Sequence, residues 1–279
     1  MTDLEQQLKK KVETGDLELP VLPAVGTQVL ELTQSTDSDA RDLAKLIQND
    51  QSLASYVMKV ANSAAYSSLG QIQTLQQAIA KLGMQNIGQM ALTMTVGQSV
   101  FKADPLTKEI TAYLWRHSLA CALWAREIAR VSRINTEVVF LCGLLHQIGK
   151  PVALHTIASL VDNKTDMPER EPLLLLIEQY QKNIGVNLAR RWNLPESIIE
   201  AINYIDDFYA APNARVEVTT VNAARLLADI SLSSNEDVSF TEALSDQPVF
   251  NELNLYDEDI QLLQDKRESV DQLLQTLIL

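Results

Sequence analysis

The sequence is poor in the residues that staple or metallate a protein, with only two cysteines and three histidines among 279 residues. Cys121 and Cys142 both fall inside helical patterns beside apolar neighbours. They read as small buried hydrophobes, not as a disulfide framework or a thiolate metal site. Long apolar runs are also scarce. The densest, Leu173 to Ile177, stops at Glu178, so no membrane span is expected, and the opening Met1-Thr2-Asp3-Leu4-Glu5 has no apolar signal region. A soluble, cytoplasmic protein without a membrane partner is expected. A basic face is missing too: 23 Lys and Arg stand against 36 Asp and Glu, a net charge of −13. Binding to nucleic acid needs positive charge to neutralise phosphates, so no nucleic-acid partner is expected. Strand signals are nearly absent, because period-2 alternation fails almost everywhere.

What remains is enough to fold. The chain is 46% hydrophobic and 21% charged, which suits one or two globular domains with a sizeable core. Its apolar residues recur at helical spacing between good caps, so the predicted fold class is all-α. A short helix is expected over Asp3 to Val12, then a turn at Pro20 and Pro23 and a helix with Val25, Val29 and Leu32. Asp50 is placed to cap a helix bearing Leu53, Val57 and Val60 that ends at Asn62-Ser63. Thr74 opens the next, which Gly83 closes, and Ile87, Met90 and Met94 mark another. Asp104-Pro105 reads as an N-cap with proline at the first helical position. It divides the chain into two helical lobes, 1–103 and 104–234. Residues 235–279 form a third segment with eleven acids against Lys266 and Arg267, and Ile260, Leu263, Val270, Leu274 and Leu277 mark it as an acidic helical extension that packs back. Its charge is read as a solvated face, with repulsion of anions or docking of a basic partner as the alternative.

The second lobe carries the chemistry-bearing side chains. A long helix has the stripe Ile110, Leu114, His117, Cys121, Trp124, Ile128 and Val131, which turns His117 inward. Thr136 is expected to cap a helix with Val139, Cys142, Gly143 and His146 on one side, Gly149 as its stop and Pro151 beyond. Two inward imidazoles could ligate a metal, although core histidines satisfied by carbonyl oxygens are commoner. His155 reads as a loop or helix-end residue. Lys9-Lys10-Lys11 reads as a solvated helix end, and Arg190-Arg191 beside Trp192 as side chains lying along a helix surface.

The motifs Leu19-Pro20-Val21-Leu22-Pro23-Ala24-Val25, the run Leu46 to Leu53, Ala61-Asn62-Ser63-Ala64 and Gln77 to Gly83 stand at separated positions along the chain. Together they resemble the HDOD family, the HD-related output domain of bacterial signalling proteins. The likeness continues through Trp115-Arg116-His117-Ser118, Gly143 to Lys150, Arg191 to Pro195 and Val221 to Arg225, covering roughly Leu17 to Ile230. It implies that the second lobe is HD-domain-like and that the protein acts in bacterial signal transduction. Active HD phosphohydrolases hold metal with a first histidine, a His-Asp doublet and a distant aspartate. The matching positions here are His117, His146 with Gln147, and Arg225.

Both carboxylates are therefore replaced. A neutral glutamine cannot offset a hard divalent cation, and a guanidinium at a cation site adds repulsion. The further ligand positions of HD-GYP enzymes fall near Ile205 and Asp206, where no histidine pair stands. The expectation is a degenerate, non-catalytic site with no metal and no cofactor, in a regulatory module that binds a protein partner or a small signal. The alternative is a metal-dependent phosphohydrolase of the HD superfamily. His117, His146, Gln147, Lys150 and Arg225 could instead form a donor-rich pocket for an anion or a nucleotide phosphate. A polar plug of internal hydrogen bonds is the preferred reading, because buried polar groups are ordinarily paired within the protein.

Overall fold

A computed structural model describes residues 3–34, 39–102, 105–161, 167–233, 239–244 and 246–278. Among them every regular element is a helix. The first lobe contains α2 (Ala24–Gln34), α3 (Ala40–Gln48), α4 (Gln51–Ala61), α5 (Leu75–Leu82) and α6 (Met84–Val100). Their starts are set by side-chain caps. Asp50 Oδ1 accepts from the Leu53 N–H at 3.0 Å and Thr74 Oγ1 from the Gln77 N–H at 3.1 Å, each satisfying a donor that the first turn leaves unpaired. Gly83, at φ 87°, ends α5 and starts α6 in a backbone conformation that side chains rarely adopt. Helices α2, α4, α5 and α6 follow the spacing of the sequence, which marked no helix at α3.

The helix α1 (Asp3–Thr14) belongs spatially elsewhere. It packs on α9 (Gly149–Ser159) and α10 (Arg170–Arg191), and the linker behind it is tied down where Trp192 Nε1 donates to the Pro20 carbonyl at 2.9 Å. The second lobe is built around α7 (Lys108–Ser132), with α8 (Thr136–Leu145), α11 (Glu196–Asn203) and α12 (Arg215–Leu232) completing it. The predicted single stripe on α7 understates its burial. From His117 to Ala129 every residue is buried, because α8, α12 and the C-terminal helices cover it on several sides. Its small residues Ala120, Cys121, Ala122 and Ala125 let those neighbours approach closely.

Several predicted boundaries move. Helix α7 begins at Lys108 after Thr107, not at Pro105, and Asp104 lies outside the described residues. The cap of α8 is Asn135, whose Oδ1 accepts from the Glu137 and Val138 N–H groups at 2.9 and 3.2 Å, so Thr136 is the first helical residue. Helix α8 ends at Leu145, and Gly149 opens α9 instead of stopping α8. The glycine serves a different need there: a Cβ on it would lie 1.9 Å from the Gln181 carbonyl oxygen and 2.7 Å from the Gly185 nitrogen. Pro151 fits inside the first turn of α9, where its missing N–H costs nothing. His155 sits in mid-helix on the exposed face of α9. The stretch Thr136–Ser159 is, contrary to the sequence expectation, long and apolar enough to cross a membrane, yet it is mostly buried in the core and turns at His146–Ile148.

The C-terminal segment packs back as expected. Its helices are α13 (Phe240–Leu244), α14 (Pro248–Glu252), α15 (Asp257–Gln264) and α16 (Arg267–Leu277), and Ile260, Leu263, Val270, Leu274 and Leu277 are all buried. Helix α16 touches α7 of the second lobe and α4 of the first, so the extension joins the two.

The α9–α10 contact yields a direct test. Gly149→Ala should destabilise the fold by about 3 kcal/mol or more, because the atoms it overlaps are α10 backbone, which cannot rotate away as a side chain could. Urea midpoints measure it, and an unchanged midpoint would mean the two helices can separate freely.

Candidate functional site

Helices α7, α9, α10 and α12, the α8–α9 turn and the turn after α11 line a cavity of about 570 Å³ in the second lobe. The sequence-predicted residues His117, His146, Gln147, Lys150 and Arg225 all line it. Helix α7 supplies His117, the C-cap of α8 supplies His146, the following turn and α9 supply Gln147 and Lys150, and α12 supplies Arg225. Helices α7 and α8 can approach closely because Gly143 has no side chain; a Cβ there would meet the Ala122 backbone at 2.8 Å. That approach brings the His117 and His146 ring centroids to 5.7 Å. Helix α12 is anchored at its start by buried Glu200, which accepts from the Ala214 N–H at 2.7 Å and from the Asn213 N–H and Nδ2 at 3.1 and 2.9 Å. Burial alone would raise the Glu200 carboxyl, but these donors outweigh it and hold it below its ordinary value.

The Gln147 amide nitrogen is fully engaged. Its Nε2 donates to the Leu114 carbonyl at 3.1 Å and lies 3.1 Å from both His117 Nδ1 and Ser118 Oγ. An amide nitrogen cannot accept, so His117 Nδ1 accepts, and the ring's other nitrogen, Nε2, donates to Asp229 Oδ1 at 3.0 Å. His117 is thus held by glutamine on one side and a carboxylate on the other. A carboxylate at position 147 would set acceptor against acceptor at the Leu114 carbonyl.

His146 is held differently. Its Nδ1 donates to the Gly143 carbonyl at 2.7 Å, which leaves Nε2 with a lone pair, and that buried atom has no partner. Burial pushes the His146 pKa well below the ordinary histidine value, and the neighbouring His117, Lys150 and Arg225 act in the same sense. Gln181 of α10, on the same cavity, has a second unpartnered buried acceptor in its Oε1. The internal plug is therefore complete around Gln147 and His117 and incomplete around His146 and Gln181.

Two of the three bases that line the pocket, Lys150 and Arg225, are matched by acids. Lys150 Nζ donates to Glu178 Oε1 in a short contact, and Arg225 donates to Asp206 Oδ1 at 2.8 Å. Lys182 reaches the other Asp206 oxygen at 2.8 Å. Partial burial would raise Asp206, but hydrogen bonds and charge from Lys182 and Arg225 bring it down to about 2. The Arg225 guanidinium, read from the sequence as adding repulsion at a cation site, thus has a carboxylate of its own. Asp229, Glu178 and Gln181 were missed as site residues. Asp229 had a signal: it stands four residues after Arg225, on the same helix face. Glu178 and Gln181 lie on α10, where no motif points to them. Among the described residues no three His, Cys, Asp or Glu side chains are grouped to hold a metal ion.

An all-helical fold with two inward histidines and a glutamine gathered on one cavity is the class that this geometry defines. The HDOD domain family matches residues 19–208, and the chain belongs to that family. Its fold is similar to an HDOD domain protein from Geobacter sulfurreducens, at 26% identity and TM-score 0.72, over 97% of this chain and 99% of that one. It is also similar to a Shewanella amazonensis SB2B protein provisionally named a metal-dependent phosphohydrolase, at 23% identity and TM-score 0.77, over 98% of this chain and all of that one. A curated relative is an uncharacterized protein of Treponema pallidum (strain Nichols), 22% identical over 203 residues. That match takes in 70% of this chain but only 39% of the relative's length.

Two outcomes follow from the hydrogen bonds. Gln147→Asp should cost about 2–4 kcal/mol, since it strips the Leu114 carbonyl of its donor and buries a charge. Denaturant titration at neutral pH reads it, and a variant as stable as the parent would mean the amide is dispensable. The second concerns pH. With the folded-state pKa of His146 depressed, the unfolded chain takes up the proton first, so the stability from neutral His146 is full above the unfolded value of about 6.5 and is lost as pH falls below it. Replacing the ring, as in His146→Gln, should flatten the decline in urea midpoint between about pH 7 and pH 5. Parallel slopes for the two proteins would contradict it.

Proposed function

We propose that the protein is a non-hydrolytic regulatory module of bacterial signal transduction that acts by binding a protein partner or a small signal. The observation that carries the reading is the Gln147 amide, which donates to the Leu114 carbonyl and to His117 at the position where an HD hydrolase has its metal-bridging aspartate. His117 then spends its Nδ1 on glutamine and its Nε2 on Asp229, so neither ring nitrogen offers a free lone pair to a metal. The second altered position, Arg225, carries a fixed positive charge bound to Asp206. Membership of the HDOD family supports the biological setting, as does a Marinobacter aquaeolei VT8 protein of similar fold, provisionally named a signal transduction protein, at 19% identity.

Elemental analysis and an activity assay test this together. Purified full-length protein, washed with a mild chelator, is expected to carry well under one equivalent of iron, manganese, nickel or zinc. It should not turn over bis(p-nitrophenyl) phosphate when manganese is supplied. A stoichiometric metal or steady turnover abolished by His117→Ala would establish the phosphohydrolase reading instead.

A further inference from the structure

Helices α7 and α10 both line the cavity from their first turns onward, with Glu109 and Tyr113 one helical turn apart on α7 and Arg170 and Leu174 one turn apart on α10. These four side chains form its mouth. All four are exposed, whereas His117 and Gln181, further along the same two helices, are buried. Behind the mouth, Ile110, Leu114, Ile177 and Leu226 present apolar surface. The volume, about 570 Å³, lies in the range of small-molecule sites.

Charge at the mouth is not paired off as it is deeper in. Lys150 is bound to Glu178 and Arg225 to Asp206, which leaves three charged side chains on the lining, Arg170, Glu109 and Asp229. Neither Arg170 nor Glu109 has an ion-pair or hydrogen-bond partner among the described residues. Asp229 keeps its charge too: its Oδ1 accepts from His117 Nε2, but that ring is neutral, because its Nδ1 accepts from Gln147. The Asp229 side chain is half exposed, and its Oδ2 is free. Tyr113 stands within the fields of both signs. Burial raises its phenol most, Asp229 raises it further, and Arg170 acts the other way. A bare anion at Arg170 would therefore face two unneutralised acids, and a bare cation at Asp229 would face the guanidinium. A ligand with one charge of each sign suits both.

We infer that this cavity binds a small zwitterion with an apolar side chain, an α-amino acid or a short peptide. Its carboxylate lies on the Arg170 guanidinium, its ammonium on Asp229 Oδ2 and Glu109, and its side chain among Ile110, Leu114 and Leu226. A guanidinium presents a planar fork that matches a carboxylate with two parallel hydrogen bonds, and an ammonium donates to carboxylates with the same assistance from charge. The inference gives chemical form to the small signal of the proposed function and rests on that reading. No bond is made or broken; occupancy alone distinguishes the loaded protein from the empty one.

The test uses the full chain with L-leucine and L-leucyl-L-leucine. At millimolar concentration at least one of them should raise the melting temperature with a saturable dependence on concentration. Leucinamide, which lacks the carboxylate, N-acetylleucine, which lacks the ammonium, and inorganic phosphate should leave it unchanged. A response to the dipeptide alone would assign the site to peptides, and a response to leucine would assign it to free amino acids. Arg170→Gln should weaken the binding about tenfold or more, and Arg170→Glu should reverse the preference so that leucinamide binds in place of leucine. Both variants should keep the parent urea midpoint, because Arg170 is exposed and unbound. Flat responses to both leucine ligands would overturn the inference. So would N-acetylleucine or phosphate binding as tightly as leucine, which marks a plain anion site, or leucinamide doing so, which marks a cation site. None of these results touches the absence of hydrolysis, which only metal content and turnover decide.

Discussion

The second lobe depends on one amide. Gln147 sits in the turn between α8 and α9, and its Nε2 reaches across to the Leu114 carbonyl, Ser118 and His117 on α7. A buried carbonyl and a buried imidazole nitrogen both require a donor, and this side chain supplies it without bringing charge into the core. Because α7 is covered on several sides and its neighbours pack on backbone, the amide cannot be exchanged for another group without disturbing those contacts. The same position decides the chemistry. An aspartate here would accept where the Leu114 carbonyl needs a donor, so the present arrangement is organised around a neutral side chain and not merely short of an acid.

The charges of Lys150 and Arg225 within the cavity are handled by local pairing. Arg225 would be costly beside two histidines were it alone, and Asp206 offsets it at 2.8 Å while Lys182 shares the same carboxylate. These side chains are partly solvated, so each pair contributes little to stability. Their effect is on selectivity, because cations already bound to carboxylates are poor hosts for a free anion. His146 needs no counter-charge, since burial keeps it neutral.

Much of this was legible in the chain. The caps at Asp50 and Thr74 and the break at Gly83 follow from local chemistry that tertiary contacts do not override. The inward placement of His117 and His146 followed from helical spacing, and the structure brings both to one cavity. Gly149 was misread because a glycine marks either a helix stop or a close approach, and only the position of α10 tells which. The burial of α7 on several faces was hidden because alanine and cysteine contribute little to an apolar stripe. Asp229, Asp206, Glu178 and Gln181 reach the cavity from elements distant in sequence from the central motif. Pairing across 19 residues, as between Asp206 and Arg225, leaves no periodic trace.

The C-terminal extension is part of the same mechanical unit as the site. Trp124 lies seven residues, about two helical turns, after His117 on α7. Its Nε1 donates to Ser231 Oγ at 3.0 Å, and its ring meets Phe240 edge-on at 5.2 Å. Ser231 follows Asp229 by two residues, so α12 is fixed to α7 at one level through His117 and Asp229 and at another through Trp124 and Ser231. Helix α16 then crosses to the first lobe, where Tyr56 Oη donates to the Leu277 carbonyl at 3.2 Å. A displacement of α12 at the cavity cannot be absorbed there alone, because the same helix is bonded to the core tryptophan that carries the extension. Packed interfaces of this kind shift as units instead of deforming gradually. The acidic surface of the extension is thereby coupled by contact to the residues that line the cavity.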